Sequence, residues 1–238
     1  MRRLPFPLRL LAETVSAVEF PRLLWNSPEL LRQPRGNGEP VVVLPGFAAD
    51  DFSTLLLRNY LGMLGYRVCG WGLGLNRGDV AAVLPQVAAL VRRCADDAGE
   101  RVRLVGWSLG GVLAREVARD EPELVERVVT MGSPVCGGPR NTAARYWFSL
   151  LGYDLERNRI LLQVPTTAIV ASYDGIVAHK ACIDRWSNVE HVEVATTHIG
   201  LGLSPEVYRI IAARLAIPTA RRRRQGPVPQ AVPLRQSA

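Results

Sequence analysis

Short apolar runs alternate with longer amphipathic stretches along most of this chain. Val41-Val42-Val43-Leu44 is continuously apolar and follows a break dense in turn formers, Gln33 to Pro40, which is the pattern of a strand buried on both faces. A helix over about Phe52 to Leu64 follows, capped by Asp50 or Asp51, and then a strand at Tyr66 to Gly70. Asn76 to Asp79 turns the chain into a long helix, about Val80 to Ala95. Arg101 to Val105 reads as a strand, Val112 to Arg119 as a helix, and Glu126 to Met131, Thr166 to Ala171 and Val189 to Val194 as further strands. Ser204-Pro205 supplies an N-cap with proline in the first turn of a final helix to about Leu215. Strands alternating with helices in this way predict right-handed crossovers. The expected fold class is α/β, a mainly parallel sheet of about six strands covered by helices on both faces.

At 238 residues and 48% hydrophobic, the chain suits one domain with a large core. The expected organisation is an N-terminal helical leader at 1–39, packed on or near the domain, a body at 40–217 with a small cap at about 133–164, and a disordered basic and proline-rich tail at 218–238. The formal charge of +7 includes five arginines in the last 21 residues, which hold no Asp or Glu, so the body carries only +2. No nucleic-acid partner is implied. The first residues begin like a signal peptide, but Pro5, Pro7, Arg9 and Glu13 interrupt it and no small-residue cleavage site follows, so a cytoplasmic protein is expected. Leu8 to Leu24 mixes apolar and charged positions. Such a leader either packs on its own domain or, with the Arg-rich tail, gives weak membrane-surface association through residues 1–33. Cys69, Cys94, Cys136 and Cys182 have no metal-ligand spacing, and no metal is expected. Cys69 and Cys94 read as buried small hydrophobes. Cys136 and Cys182 sit just past expected strands on one sheet edge, where they are either a disulfide or two free thiols.

Gly106-Trp107-Ser108-Leu109-Gly110-Gly111 lies between an expected strand and an expected helix. A serine hydroxyl needs such a tight turn to be held out where a base can reach it from one side and substrate from the other. The match to a Gly-x-Ser-x-Gly pattern takes its weight from that strand-turn-helix context. The base must be a histidine. Of the three histidines, His198 is chosen because it sits in the loop after the last strand and before the last helix, at the carboxyl edge of a parallel sheet. His191 lies inside a strand and His179 early in a helix-like stretch. The acid that would orient the imidazole is Asp174, which follows another strand at the same edge. Asp184 competes for that role, and Asp174 is also a reasonable turn former beside Gly175. Oxyanion donors are expected from the backbone N–H of Leu109 and of Phe47, in Leu44-Pro45-Gly46-Phe47-Ala48.

Together these residues resemble the α/β-hydrolase superfamily, and more closely its small bacterial esterase and lipase group with a Leu-Pro-Gly-Phe oxyanion loop. The resemblance covers about Pro40 to Ile217 and rests on Pro45-Gly46-Phe47, Gly106 to Gly111, Met131-Gly132-Ser133-Pro134, Asp174-Gly175-Ile176-Val177 and Thr197-His198-Ile199-Gly200. It implies an α/β-hydrolase fold with Ser108, Asp174 and His198 as nucleophile, acid and base. It also implies a sheet trimmed to begin at the third strand of larger members. Many relatives carry His-Gly where this chain has Pro45-Gly46, so any hydrogen bonding by that histidine is absent.

The expected pocket is apolar, lined by Trp107, Tyr146, Trp147, Phe148, Ile176, Val177, Ile199 and Leu201 beside Phe47. The expected activity is that of a serine hydrolase: hydrolysis of short to medium acyl esters, small-molecule or lipid-like, through an acyl-enzyme on Ser108, with no cofactor. Alternatives on the same residues are acyl transfer, thioester cleavage and polyester hydrolysis. A non-catalytic binding or membrane-associated protein on this scaffold is the alternative of a different class.

Overall fold

In the computed structural model, which describes residues 13–136, 157 and 160–218, all the expected strands form one sheet. They are β1 (Pro40–Leu44), β2 (Arg67–Cys69), β3 (Val102–Trp107), β4 (Val125–Met131), β5 (Thr166–Ala171) and β6 (Val189–Val194), in the order β2-β1-β3-β4-β5-β6. Every neighbouring pair is parallel. β1, β4 and β5 are buried along their whole length, as strands of a parallel sheet covered on both faces are; in β4 that burial includes Glu126 and Arg127.

The helices are α1 (Glu19–Leu30), α2 (Leu55–Met63), α3 (Val80–Ala98), α4 (Leu109–Asp120) and α5 (Pro205–Leu215), with a 3-10 turn at Glu13–Val18 before α1. Val41 and Val43 of β1 pack with Leu23 and Leu30 of α1, Leu57 and Leu61 of α2, and Ile211 and Leu215 of α5. Val42 and Leu44 point to the other face, against Val87 and Val91 of α3 and Val112 and Leu113 of α4. The period of two in the strands thus separates two cores. On the first face Arg103 and Arg127 reach the end of α5, where Arg103 Nε donates to Leu215 O at 3.1 Å and Arg127 Nη2 to Ile217 O at 3.1 Å. These guanidiniums meet carbonyls that the helix end leaves without intrahelical donors.

Several local details settle or revise the sequence expectation. Asp50 caps the turn before α2 through Phe52 N at 2.9 Å, whereas Asp51 accepts from Trp71 N and Gly72 N at 2.9 and 2.8 Å. The carboxylate of Asp51 therefore shapes the loop after β2 instead of a helix start. Helix α3 runs three residues further than expected, to Ala98, and stops where Gly99 turns left-handed at φ 64. Ser204 precedes α5 but makes no side-chain cap, so Pro205 alone marks the start. No disulfide joins any of the four cysteines, and the close pair is Cys69 and Cys94, with sulfurs 3.3 Å apart, rather than Cys136 and Cys182. Cys69 and Cys94 join because β2 and α3 bring them together, and burial followed by that contact pushes the Cys94 thiol up to about 12. The expected cap lies mostly outside the described residues, as do the tail beyond 218 and the leader before 13.

Asp184, in the loop before β6, forms a buried ion pair with Arg115 of α4, and its Oδ1 accepts from Trp186 N at 2.8 Å and Ser187 N at 3.1 Å. Burial alone would raise its carboxyl, but Arg115 and the two N–H groups outweigh that and hold it below the usual carboxylate range. Because the folded-state value is depressed, the stabilisation is complete above the unfolded value of about 3.9 and is lost as pH falls through the folded one. Asp184→Asn should therefore lower unfolding stability at neutral pH by about 3–5 kcal/mol in urea titrations. Its deficit against the parent protein should shrink below about pH 4; a deficit independent of pH would contradict this account of the pair.

Candidate active site

Ser108 follows β3 and precedes α4 at φ 52 and ψ −117, one of two non-glycine residues with positive φ among those described. Such a conformation costs about 1–3 kcal/mol and persists only where surroundings enforce it. Here they do. A Cβ at Gly106 would lie 2.4 Å from Gly110 O and from Gly111 N and Cα, and one at Gly110 would lie 2.2 Å from Leu44 O. With no side chains at these positions the helix packs directly on the strand ends, and Ser108 is thrust out between them. Ser108 N donates to Met131 O at 2.7 Å, which anchors the turn to β4.

The loop after β1 passes beside this turn, for a Cβ built on Gly46 would lie 3.3 Å from Ser108 Cβ. Its shape depends on Asn76, a buried residue from the loop before α3 that had read only as a turn former. Asn76 Nδ2 donates to Pro45 O at 3.0 Å, Asn76 N to Ala49 O at 2.8 Å, and Ala48 N to Asn76 O at 2.8 Å. Ala48 takes φ 55 there. Phe47, which carries one expected oxyanion donor, lies within this braced segment. The other expected donor, the N–H of Leu109, is at the first position of α4, where a helix supplies no partner of its own.

His198 and Asp174 come from the loops after β6 and β5, and the register of the two strands brings them together. His198 Nδ1 and Asp174 Oδ2 are 2.7 Å apart, with the side chains only 6% and 1% exposed. Asp174 Oδ1 accepts from Ile176 N at 2.9 Å and Val177 N at 2.6 Å, so its turn-forming geometry and its contact with the imidazole coexist on separate oxygens. Trp107 Nε1 donates to His198 O at 3.2 Å. Gly132, at φ 60, leaves the space the imidazole needs, since a Cβ there would sit 2.9 Å from His198 Nδ1 and 2.8 Å from Leu201. The competing residues lie elsewhere. Asp184 belongs to the Arg115 pair, His191 Nε2 accepts from Asp184 N at 3.0 Å, and His179 is exposed in a 3-10 turn near Glu193.

Ser108 and His198 share the wall of a cavity of about 300 Å³, completed by Gly46, Phe47, Ala49, Trp107, Pro134, Ile176, Val177 and Ile199. Of the expected lining, Trp107, Ile176, Val177 and Ile199 are on this wall. Leu201 is not: it is fully buried, because the 3-10 turn Gly200–Gly202 aims it inward against the ends of the strands. Leu109 buries its side chain in the core on the other face of the sheet. Tyr146, Trp147 and Phe148 lie outside the described residues. Among the described residues no cluster of three or more His, Cys, Asp or Glu could hold a metal ion, and no helix is long and apolar enough to cross a membrane.

Comparison with solved structures places this architecture. The mature lipase BlEst2 of Bacillus licheniformis superposes with a TM-score of 0.58 at 17% identity, over 78% of this chain and 95% of that one. MGS-MChE2, an α/β hydrolase from a lagoon-sediment metagenome, does so at 0.55 and 19%, over 76% and 91%. The chain has the α/β-hydrolase fold. Lipase B of Aspergillus fumigatus shares it at a TM-score of 0.56 and 18% identity over 72% of this chain, which spans only 51% of the fungal enzyme. No protein-family model matches the sequence. The hydrolase fold places loops at the carboxyl edge of its sheet, where Ser108, Asp174 and His198 converge here.

The glycine contacts make the elbow testable by stability alone. Gly110→Ala should destabilise the fold by about 1–3 kcal/mol or more, since backbone must move. Gly62→Ala, a helical site with nothing within 4 Å of the new Cβ, should stabilise by up to about 1 kcal/mol. Thermal unfolding of the two variants checks the contrast, and equal midpoints would refute the packing described.

Proposed function

We propose that this protein is a serine hydrolase of carboxylic esters with short to medium acyl chains, acting through an acyl-enzyme on Ser108. The observation that carries the reading is the sheltered 2.7 Å contact of Asp174 with His198 Nδ1 beside Ser108 in an apolar cavity. A carboxylate on Nδ1 selects the tautomer in which Nε2 is free to accept a proton, and it stabilises the imidazolium that results. Ser108 Oγ attacks the ester carbonyl carbon while its proton passes to His198 Nε2. The tetrahedral oxyanion accepts from the N–H groups of Phe47 and Leu109, each contributing about 3–4 kcal/mol to the transition state. Collapse expels the alkoxide, which takes the proton from His198. Water then repeats the sequence on the acyl-enzyme, with His198 as base.

The apolar wall of Phe47, Trp107, Ile176, Val177 and Ile199 suits an acyl chain rather than a charged substituent. The likeness in fold to lipases and an α/β hydrolase agrees with ester chemistry, although fold alone does not select a substrate. Ser108→Ala and His198→Ala should each lower the turnover of p-nitrophenyl butyrate by at least about 10³-fold, and Asp174→Asn by about 10⁴-fold. Circular dichroism should show each variant folded. Paraoxon should add one diethylphosphoryl group, located at Ser108 by peptide mass spectrometry. Full activity in either alanine variant, or labelling at another residue, rejects the assignment. Adding an alcohol with the ester and assaying for the exchanged ester separates acyl transfer from hydrolysis.

A further inference from the structure

Glu13 is a buried carboxylate that the chemistry above leaves unused, only 4% exposed and contributed by the 3-10 turn ahead of α1. Its Oε1 accepts from Gly175 N at 2.8 Å and from His198 N at 3.2 Å, and its Oε2 accepts from Ile199 N at 2.8 Å. One carboxylate therefore joins the loop that carries Asp174 to the loop that carries His198. Its donors are all backbone N–H groups next to, or belonging to, those two residues. Hydrogen bonds to an ionised acceptor are about twice as strong as neutral ones. Burial makes each donor costly to leave without a partner.

Other groups of the leader are tied to the domain as well. Glu19, 6% exposed, accepts from Thr196 Oγ1 at 2.9 Å and thereby grips the base loop two residues before His198. Further along α1, Glu29 Oε2 and Asn26 Oδ1 accept from Arg209 of α5 at 2.6 and 2.8 Å, and Tyr60 of α2 donates to Leu30 O at 3.2 Å. The leader is thus fastened on the core of one sheet face and extends a carboxylate across the carboxyl edge.

We propose that Glu13 is a positioning residue for the active site, a clamp that sets the separation of Asp174 and His198 through the backbones of their loops. This rests on the hydrolase reading above. Glu13 is not on the cavity wall, so its removal should alter the alignment of the imidazole while leaving substrate contacts intact. Misplacement of a catalytic group by about 1 Å can cost on the order of 100-fold in rate. Glutamine at this position keeps one acceptor oxygen but turns an NH2 toward backbone donors, which breaks the bridge with almost no change in volume.

The test compares Glu13→Gln and Glu13→Ala with the parent protein and with Glu29→Gln, which loosens the leader away from the two loops. Steady-state kinetics on p-nitrophenyl butyrate should show kcat reduced by about 10- to 100-fold in both Glu13 variants, with KM changed by less than about threefold. Glu29→Gln should keep kcat within about twofold. The proton on His198 Nδ1, seen by NMR, should move or broaden in Glu13→Gln and stay put in Glu29→Gln. Unchanged kcat and an unchanged Nδ1 proton in folded Glu13→Gln would overturn the proposal, as would an equal loss in Glu29→Gln. Parent protein against Ser108→Ala separately tests the hydrolase reading. Should the parent show no ester turnover, that reading fails, and the Nδ1 proton of Glu13→Gln alone decides whether Glu13 clamps the loops.

Discussion

Backbone meets backbone where α4 begins, and the arrangement of the candidate site depends on that contact. Gly110 sits so near Leu44 O and Pro45 O that no Cβ fits, and Gly106 sits equally near the first turn of α4. Removing side chains at these points lets the helix start directly on the ends of β1 and β3. The residue between strand and helix then has no relaxed conformation available, which is why Ser108 takes φ 52. The same approach brings the loop after β1 within van der Waals reach of Ser108. Close packing of one turn thus sets both the exposure of a hydroxyl and the position of the Phe47 segment beside it.

The two other side chains of the site are held by a different kind of force. The loops after β5 and β6 bury Val177, Ala181, Cys182 and Leu201, and the segments that carry Asp174 and His198 are tied in addition by hydrogen bonds from their backbones to carboxylates. Asp174 accepts two such bonds from its own loop and Glu13 accepts three from both loops. Several N–H groups aimed at one buried carboxylate hold it in place and are held by it in return. The polar tie needs a mount, which hydrophobic burial supplies: Leu23 and Leu30 of α1 lie in the same cluster as α2 and α5. The leader is therefore part of the layer that covers one sheet face, and its first turn reaches the edge where the loops emerge.

Much of this was legible from periodicity. β5 and β6 match their expected limits, and the others agree within a few residues, because the strands are short runs rich in Val, Ile and Thr bounded by turn formers. Ser108, Asp174 and His198 could be picked out because each follows a strand, and in a parallel sheet those ends share one edge. Asn76 and Glu13 could not be picked out. Each acts through a side chain that bonds to backbone far away in sequence, across 31 residues for Asn76 and up to 186 for Glu13, and a lone Asn or Glu has no local signature for such a role. Leu201 read as a pocket residue because its neighbours in the loop are; the sense of a short 3-10 turn, which no apolar pattern encodes, aims it into the core instead. The cysteines show the same limit. Cys69 and Cys94 meet because a strand and a helix cross there, a fact of packing rather than of spacing.

The cavity and the polar cluster behind it make opposite demands, and the fold meets them by dividing the sheet edge in depth. At the surface, Phe47, Trp107, Ile176 and Ile199 present apolar atoms, which exclude water from the neighbourhood of Ser108 and His198 and strengthen any charge interaction there. One layer further in, Asp174 and Glu13 carry negative charge in a region from which water is also excluded, a situation that is unfavourable unless donors are already aimed at them. Those donors are backbone N–H groups of the loops whose side chains form the wall above: Ile176 and Val177 for Asp174, and His198 and Ile199 for Glu13. Each of these residues serves both layers, its side chain facing the cavity and its amide facing a carboxylate. The wall and the imidazole thereby share their supports, and loosening the inner carboxylates would change the shape of the cavity as well as the alignment of the imidazole.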